Sequence, residues 1–223
     1  MAKSQTIRVP KVVVAERNFL LLEYIVSGHK KLRFFDSFGK AYAEMHRYTH
    51  DIFGFYEDNF IGATPQINTV NDTLKTNWTA FYFTNRLLYQ FKLAEQNGYV
   101  NDEFRKAFAH IENRIDSILK GSEEPPALLH GDLWGGNFMI DDQGEAVLID
   151  PAVYYGHREA DLAMTKLFGG FTNAFYASYN AHYPLKEGYL YRENIYLLYH
   201  VLNHLNLFGL SYYQQALQLM KGY

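Results

Sequence analysis

The chain has 223 residues, of which 48% are hydrophobic and 17% aromatic, so it can bury a substantial core and is neither disordered nor fibrous in type. A net charge of -3 gives no basic surplus for a nucleic-acid backbone, and the absence of cysteine excludes disulfides and thiolate metal sites. No segment has the pattern of a membrane span or a secretory leader, so we expect no membrane association and a cytoplasmic location.

Two apolar, β-branched runs come first in the chain, at residues 9–14 and 19–25, with a short charged break between them. This pattern predicts a pair of strands joined by a tight turn. Helical spacing then begins near Phe34, where Asp36 and Ser37 are the candidate N-caps.

A polar loop is expected from about residue 54 to residue 76. Two long helices follow, one at residues 79–97, closed by Gly98, and one capped by Asn101 or Asp102 that continues to about residue 120. The period changes in residues 127–150, where two short apolar runs flank a turn, and it becomes helical again beyond residue 159. The predicted fold class is α+β, with a mostly α-helical domain built around a small β-hairpin.

Three oxygen-bearing side chains are expected to meet at that hairpin. Asn137 enters it and Asp150 leaves it, so both lie at its open end, and Asp132 precedes Asn137 by five residues. Amide and carboxylate oxygens suit a Mg²⁺ ion that also holds phosphates, and a second carboxylate can accept a proton from a hydroxyl. The spacing Asp-x-x-x-x-Asn followed by Asp matches the catalytic loop of kinases and predicts phosphoryl transfer.

The motifs His-Gly-Asp-Leu-Trp-Gly-Gly-Asn at residues 130–137 and Tyr-Tyr-Gly-His-Arg-Glu-Ala-Asp at residues 154–161 resemble the fructosamine (ketosamine) kinase family. The resemblance covers nearly the whole chain. It implies the mostly helical C-terminal lobe of a protein-kinase-like, aminoglycoside phosphotransferase-like fold. It further implies ATP- and Mg²⁺-dependent phosphorylation of the 3-hydroxyl of ketosamines such as fructosamine or ribulosamine, small or protein-bound, in deglycation repair.

The resemblance also implies roles for individual residues. Asp132 corresponds to the catalytic base, Asn137 and Asp150 to the Mg²⁺ ligands, and Glu23, Tyr24 and Ile25 to a hinge whose backbone meets adenine. Residues 1–26 are then the remnant of a nucleotide-binding lobe and residues 27–223 the catalytic lobe. The glycine-rich loop and phosphate-binding lysine of such kinases have no counterpart, so we expect truncation at the N-terminus. The two strands should expose an apolar face that is poorly ordered or self-associates.

Several side chains near these motifs have two possible roles. Trp134 could form the floor of the sugar pocket or belong to the core. A second group could line the sugar site or form an ordinary polar helix start with an internal ion pair: His157, Arg158 and Glu159. Asp161 is expected to accept hydrogen bonds from the backbone of the catalytic loop, and His130 to serve the conformation of that loop. His200 and His204, four residues apart, are expected to be packed histidines rather than a metal pair.

Two other functions compete with a ketosamine kinase. One is another small-molecule kinase of the aminoglycoside or choline kinase type, which substrate profiling would distinguish. The other is a non-catalytic remnant, favoured by the missing lysine and glycine-rich loop and opposed by the intact Asp132, Asn137 and Asp150.

Overall fold

The first two strands form a β-hairpin, in a computed structural model that describes residues 1–223. Strands β1 (Val12–Glu16) and β2 (Phe19–Leu22) are antiparallel, and Glu16 pairs with Phe19 across a two-residue turn. The predicted strand pair is thus confirmed. Most of its apolar side chains are at least half exposed, as expected for an uncovered face.

Backbone and side-chain bonds tie this hairpin to the rest of the molecule. The carbonyl oxygen of Arg8 accepts from the N–H of Leu148 at 3.0 Å, and the Arg8 guanidinium donates to Asp141 and Glu23 at 2.8 Å each. On the other side of the hairpin, the N–H of Gly28 donates to the carbonyl oxygen of Ile140 at 2.9 Å. The segments before and after the hairpin are therefore both fixed to a later part of the chain.

Nine α-helices follow in chain order: α1 (Phe34–His46), α2 (Asp72–Lys75), α3 (Trp78–Tyr82), α4 (Tyr89–Gln96), α5 (Asp102–Leu119), α6 (Arg158–Leu167), α7 (Asn173–His182), α8 (Tyr189–Phe208) and α9 (Tyr213–Lys221). A π-helical segment, Phe83–Leu88, joins α3 to α4, so the predicted helix at 79–97 is confirmed. No helix is both long enough and apolar enough to cross a membrane.

Two hydrophobic cores lie among these helices. The larger one is formed mainly by α3, α5, α8 and α9, and includes Phe81, Phe104, Ile111, Ile195 and Leu202. The smaller one contains Phe34, Phe38 and Tyr42, which recur every four residues along α1 and pack on α7. A Cβ at Gly39 of α1 would lie 2.2 Å from the carbonyl oxygen of Phe175, so glycine allows the two helices to come this close.

Helix α1 begins at Phe34, where the helical spacing begins, but its predicted N-caps are wrong. Its N-cap is Arg33, at a left-handed φ of 60° and without a side-chain cap, so neither Asp36 nor Ser37 caps the helix. By contrast, Asn101 caps α5 as predicted, since its side chain accepts from the N–H of Phe104 at 2.9 Å.

Six short strands form three further two-stranded sheets: β3 (Asn59–Ile61) with β4 (Thr64–Gln66), β5 (Ala127–Leu129) with β8 (Tyr154–Gly156), and β6 (Phe138–Ile140) with β7 (Ala146–Leu148). The β6–β7 hairpin is the one that the sequence predicts. The β3–β4 hairpin lies inside the segment predicted to be a polar loop, which is a correction. Its strands, Asn-Phe-Ile and Thr-Pro-Gln, have three residues each and are too short to show alternation.

Candidate active site

The β6–β7 hairpin brings Asn137 and Asp150 to the same end. Phe138 pairs with Leu148, and the N–H of Ile149 donates to the carbonyl oxygen of Asn137 at 3.1 Å. Asp150 comes next, at a left-handed φ of 49° that is uncommon outside glycine. The two predicted metal ligands therefore leave the hairpin side by side.

Asp132 is held against Asn137. The amide nitrogen of Asn137 donates to the backbone oxygen of Asp132 at 2.8 Å and to its carboxylate at 3.3 Å. These bonds occupy the nitrogen and leave the amide oxygen for another group. The carboxylate of Asp150 is exposed and accepts no hydrogen bond from the protein. Three oxygen-bearing side chains thus meet at one mouth, with two oxygen groups free.

The loop that carries Asp132 is anchored by a buried carboxylate. Asp161, in the first turn of α6, accepts from the backbone N–H groups of His130 and Gly131, both at 2.7 Å. The sequence-based expectation for Asp161 is confirmed. These two bonds fix the backbone directly before Asp132.

His130 and Gly131 set the shape of the same loop. His130 Nε2 donates to the carbonyl oxygen of Ile149 at 2.9 Å, and its Nδ1 accepts from the N–H of Asp132 at 3.3 Å. Gly131 has a φ of 81°, and a Cβ there would lie 2.0 Å from the carbonyl oxygen of Ala152. His130 therefore bridges the loop to the end of β7, and only glycine fits beside it.

The surroundings of Asp132 favour its protonated form. Burial raises the pKa of Asp132 to about 7, and the negative charges of Asp161 and Asp150 add to this, while the bond from Asn137 opposes it. A carboxyl group with this pKa is more basic than an ordinary aspartate and exchanges protons near neutral pH.

Sequence reasoning missed the support of Asp161. Its carboxylate also accepts from the Tyr42 hydroxyl at 2.5 Å and from His46 Nε2 at 3.1 Å, while His46 Nδ1 accepts from the Tyr179 hydroxyl at 2.7 Å. Burial lowers the pKa of His46, so a neutral ring donates to Asp161. Burial alone would raise the pKa of Asp161, but the bonds from His46 and Tyr42 hold it below its ordinary value. Spacing offered one signal only, the position of Tyr42 and His46 four residues apart on α1.

Trp134 lies at the surface of the catalytic loop. Its side chain is 39% exposed, and a Cβ at Gly136 would come within 2.4 Å of the indole ring. The indole therefore folds back over its own loop, toward Asn137. Of the two roles considered from the sequence, the exposed position excludes the core.

The structure does not support a sugar-binding role for His157, Arg158 and Glu159, and this corrects the first alternative. His157 caps α6, and its Nε2 donates to the carbonyl oxygen of Ser122 at 2.6 Å. The guanidinium of Arg158 makes a two-point contact with Glu124 at 2.7 and 2.9 Å. All three side chains are buried.

Glu159 forms a second buried ion pair at the same place, with Arg192, at 2.6 and 2.8 Å. The second alternative is therefore closer to the structure, but the helix start is buried, and its ion pairs join it to Glu124 and Arg192 instead of lying within it. Arg192 joins α6 to α8 and Glu124 joins α6 to the segment before β5, so none of the three groups is left for a substrate.

The proposed hinge lies between the N-terminal hairpin and α1. Glu23 accepts from Arg8 at 2.8 Å and from the N–H of Lys11 at 3.1 Å. Tyr24 is exposed and Ile25 is buried. Contact of this segment with adenine stays a prediction.

Neither a cluster of acidic or histidine side chains nor the pair His200 and His204 forms a separate metal site. The structure contains no group of three or more His, Cys, Asp or Glu side chains placed to hold a metal. His204 Nδ1 donates to the backbone oxygen of His200, and burial lowers the pKa of His200 to about 3. The expectation of packed histidines is confirmed.

The overall fold places the chain in the class of protein-kinase-like proteins that includes small-molecule kinases. Choline kinase LicA of Streptococcus pneumoniae has the same fold, with a TM-score of 0.62, 17% identity, and coverage of 99% of this chain and 77% of that chain. More specifically, the chain belongs to the fructosamine kinase family, whose sequence pattern matches residues 1–223. The resemblance found in the motifs is thus confirmed.

Individual relatives agree with this assignment. The probable ketoamine kinase slr1563 of Synechocystis is 42% identical over 227 residues, covering 99% of this chain and 74% of the relative. The chloroplastic protein-ribulosamine 3-kinase of Arabidopsis thaliana is 39% identical, covering 100% of this chain and 68% of the relative. A crystal structure of a candidate fructosamine-3-kinase from Thermobifida fusca matches with a TM-score of 0.86 and 34% identity, covering 96% of this chain and 73% of that chain.

Proposed function

We propose that this protein transfers the γ-phosphoryl group of ATP to the 3-hydroxyl of a ketosamine, fructosamine or ribulosamine, on a small amine or on a protein. Family membership and relatives named ketoamine kinase and protein-ribulosamine 3-kinase support this proposal. The observation that carries it is the contact of Asp132 with Asn137 beside Asp150, on a loop fixed by Asp161.

Asp132 is the proton acceptor in this proposal. As the substrate oxygen forms its bond to the γ-phosphorus, the hydroxyl proton moves to the Asp132 carboxylate. The bond from phosphorus to the bridging oxygen breaks, and ADP leaves with that oxygen. The raised pKa of Asp132, about 7, supports this role because it favours acceptance of a proton near neutral pH.

Asn137 and Asp150 would hold Mg²⁺. Each presents a hard oxygen that the protein does not use, which fits an ion that takes one or two protein ligands and completes its shell with water and phosphate. When bound, Mg²⁺ supplies positive charge that neutralises the phosphate oxygens during transfer.

The nucleotide is proposed to bind between residues 1–26 and the catalytic lobe of residues 27–223. Gly28 is bonded to Ile140, so the chain directly after the hinge runs beside β6, the strand that begins next to Asn137. Adenine held by the backbone of Glu23, Tyr24 and Ile25 would therefore lie on the hairpin that carries the metal ligands. The sugar ring would lie on Trp134, since flat rings pack well on the C–H faces of sugars.

We infer that the exposed N-terminal hairpin also allows self-association. Leu20 and Phe19 are both more than half exposed on an unpaired strand edge. A Leu20→Lys variant should reduce the concentration-dependent mass in light scattering. An unchanged mass would exclude this surface. A cytoplasmic location stays a prediction.

Phosphate transfer from radiolabelled ATP with Mg²⁺ to a ribulose-amine tests the main proposal. The wild-type chain should transfer phosphate, and Asp132→Ala should lose turnover by at least about 10³-fold while it still binds ATP. Asp150→Asn should weaken the Mg²⁺-dependent binding of nucleotide. Asp142→Asn, at an exposed turn position, should change neither turnover nor nucleotide binding. Equal transfer by wild type and Asp132→Ala, or no transfer by the wild type, would contradict the proposal.

A further inference from the structure

Aromatic rings extend in a row from the catalytic loop across the surface. The ring of Trp134 lies 6.0 Å from that of Phe168, Phe168 lies 5.0 Å from His204, and His204 lies 5.4 Å from Phe208. Tyr212 closes the row, 5.1 Å from His204 and 6.2 Å from Phe208. We call these five residues the aromatic row.

Three rings of the row, Trp134, Phe168 and Phe208, are exposed, in contrast to most large aromatic side chains of this protein, and the other two are half-buried. Phe168 is 44% exposed and Phe208 64% exposed, while Phe104 and Phe175 are fully buried. An exposed strip of adjoining rings is an unusual surface and typically marks a binding site. Core packing explains Tyr212, which lies against the larger core, but neither core includes Trp134, Phe168 or Phe208.

Close packing of two loops keeps the row continuous with the catalytic loop. A Cβ at Gly170 would lie 3.1 Å from the Cα of Gly135, so the loop after α6 rests on the loop that carries Trp134. Phe168 is thereby held beside Trp134, and Trp134 lies two positions after Asp132 in the sequence. The row therefore begins at the site where the sugar is proposed to react.

The row carries no carboxylate and no ammonium group. Its only group that titrates near neutral pH is His204, and burial lowers the pKa of His204, so the ring is neutral at pH 7. Its partner must accordingly be recognised by stacking and apolar contact rather than by charge.

We propose that the aromatic row binds the amine-bearing part of the substrate, an extended and uncharged peptide segment around a glycated lysine. The proposal rests on the proposed function, since it places the sugar at Trp134. An extended peptide advances about 3.4 Å per residue, so rings 5.0 to 6.0 Å apart would accompany several residues. A ketosamine of a small amine is too short to reach Phe208.

The test compares two ligands by isothermal titration calorimetry. One is the ribulose adduct of methylamine, and the other is the same adduct on the lysine of an uncharged hexapeptide with apolar flanking residues. Phe208→Ala should raise the dissociation constant of the peptide adduct about tenfold and leave that of the small adduct within about twofold. Phe208 is largely exposed, so the variant should keep its melting temperature.

Leu190→Ala is the matched control. Leu190 is also 64% exposed and lies on the same helix, α8, but 18 residues away, or about 27 Å along the axis. It should change the affinity for neither ligand. Trp134 fluorescence gives a second measurement, because Trp78 is buried and only Trp134 is open to iodide. Both adducts should protect Trp134 from quenching, because the sugar is proposed to lie on it, and Phe208→Ala should raise the concentration needed for protection only for the peptide adduct.

Three outcomes are decisive. A selective loss for the peptide adduct in Phe208→Ala supports the aromatic row as its binding surface. An equal effect on both ligands, or no effect on either, overturns the inference and leaves the proposed function in place. Failure of the wild type to bind even the small adduct overturns both.

Discussion

Replacing Asp161 with asparagine should destabilise both the fold and the catalytic loop. The carboxylate accepts four hydrogen bonds in a fully buried position, from the backbone N–H groups of His130 and Gly131 and from the side chains of Tyr42 and His46. An asparagine can accept with one oxygen only and turns an N–H₂ group toward the remaining donors.

The expected loss can be worked out from these bonds. Hydrogen bonds to a charged group contribute about 1.5–3 kcal/mol each, and a buried donor left without a partner costs about 1–3 kcal/mol. Three of the four donors face Oδ2 and only the N–H of Gly131 faces Oδ1, so an asparagine keeps at most three bonds and turns its N–H₂ group toward Gly131. One lost bond and two unpaired donors together give an expected loss of about 3–5 kcal/mol in the free energy of unfolding. For a chain of this length, that lowers the melting temperature by roughly 10 °C.

Urea unfolding followed by far-UV circular dichroism measures this difference, with Asp142→Asn as an exposed control. A loss below about 1 kcal/mol would refute the reasoning. The pH dependence gives a second check. The pKa of Asp161 is held below its ordinary value in the folded state, so its stabilising effect is present above about pH 4 and decreases as the pH falls toward the folded pKa. The difference in the free energy of unfolding between wild type and Asp161→Asn should therefore become smaller as the pH falls below about 4.

Three further predictions concern the site and its surroundings. First, kcat/KM should rise about tenfold per pH unit below pH 7 and level off above it. The reason is that the pKa of Asp132 is raised to about 7 and only the ionised carboxylate accepts a proton. A pH–rate profile that levels off already near pH 4 would contradict this. Second, Gly131→Ala should lower the free energy of unfolding in urea by about 2–3 kcal/mol. Gly98→Ala should lower it by only about 1 kcal/mol, because Gly98 has a similar φ of 76° but no atom within 4 Å of a Cβ. Equal losses would show that the close contact at Gly131 has no effect. Third, Arg158→Lys should lower the free energy of unfolding by about 2–4 kcal/mol without changing KM for the ketosamine, and a changed KM in steady-state kinetics would restore a substrate role for Arg158.

The convergence of Asp132, Asn137 and Asp150 was predictable because it depends on local geometry. Two apolar runs around a turn at residues 141–144 form a hairpin, and a hairpin places its two ends together. Any residue five positions before Asn137 is then within reach of the same mouth. A short stretch of sequence therefore contains all the information that this part of the site requires.

The support of the loop was less predictable because it is distant in sequence. Asp161 is bonded to Tyr42 and His46 over separations of 119 and 115 residues, and only the packing of α1 brings them together. The roles of residues 157–159 were hard to predict for the same reason, since their partners are also distant in sequence. From the sequence, these polar residues at a helix start could be substrate contacts or could pair with one another, and only the folded structure shows that Arg158 pairs with Glu124 and Glu159 with Arg192 inside the protein.

The N-terminal hairpin shows how local preference and burial differ. Its β-branched residues and short turn correctly predicted strands, yet a two-stranded sheet with exposed side chains is marginal in isolation. Backbone bonds of Arg8 to Leu148 and of Gly28 to Ile140 attach it to β6 and β7, and the Arg8 side chain also joins Glu23 to Asp141. The position of the proposed hinge is thus fixed through the same small hairpin that carries Asn137. A change in the N-terminal segment would consequently reach the metal ligands through backbone bonds to β6 and β7, without any contact with Asp132.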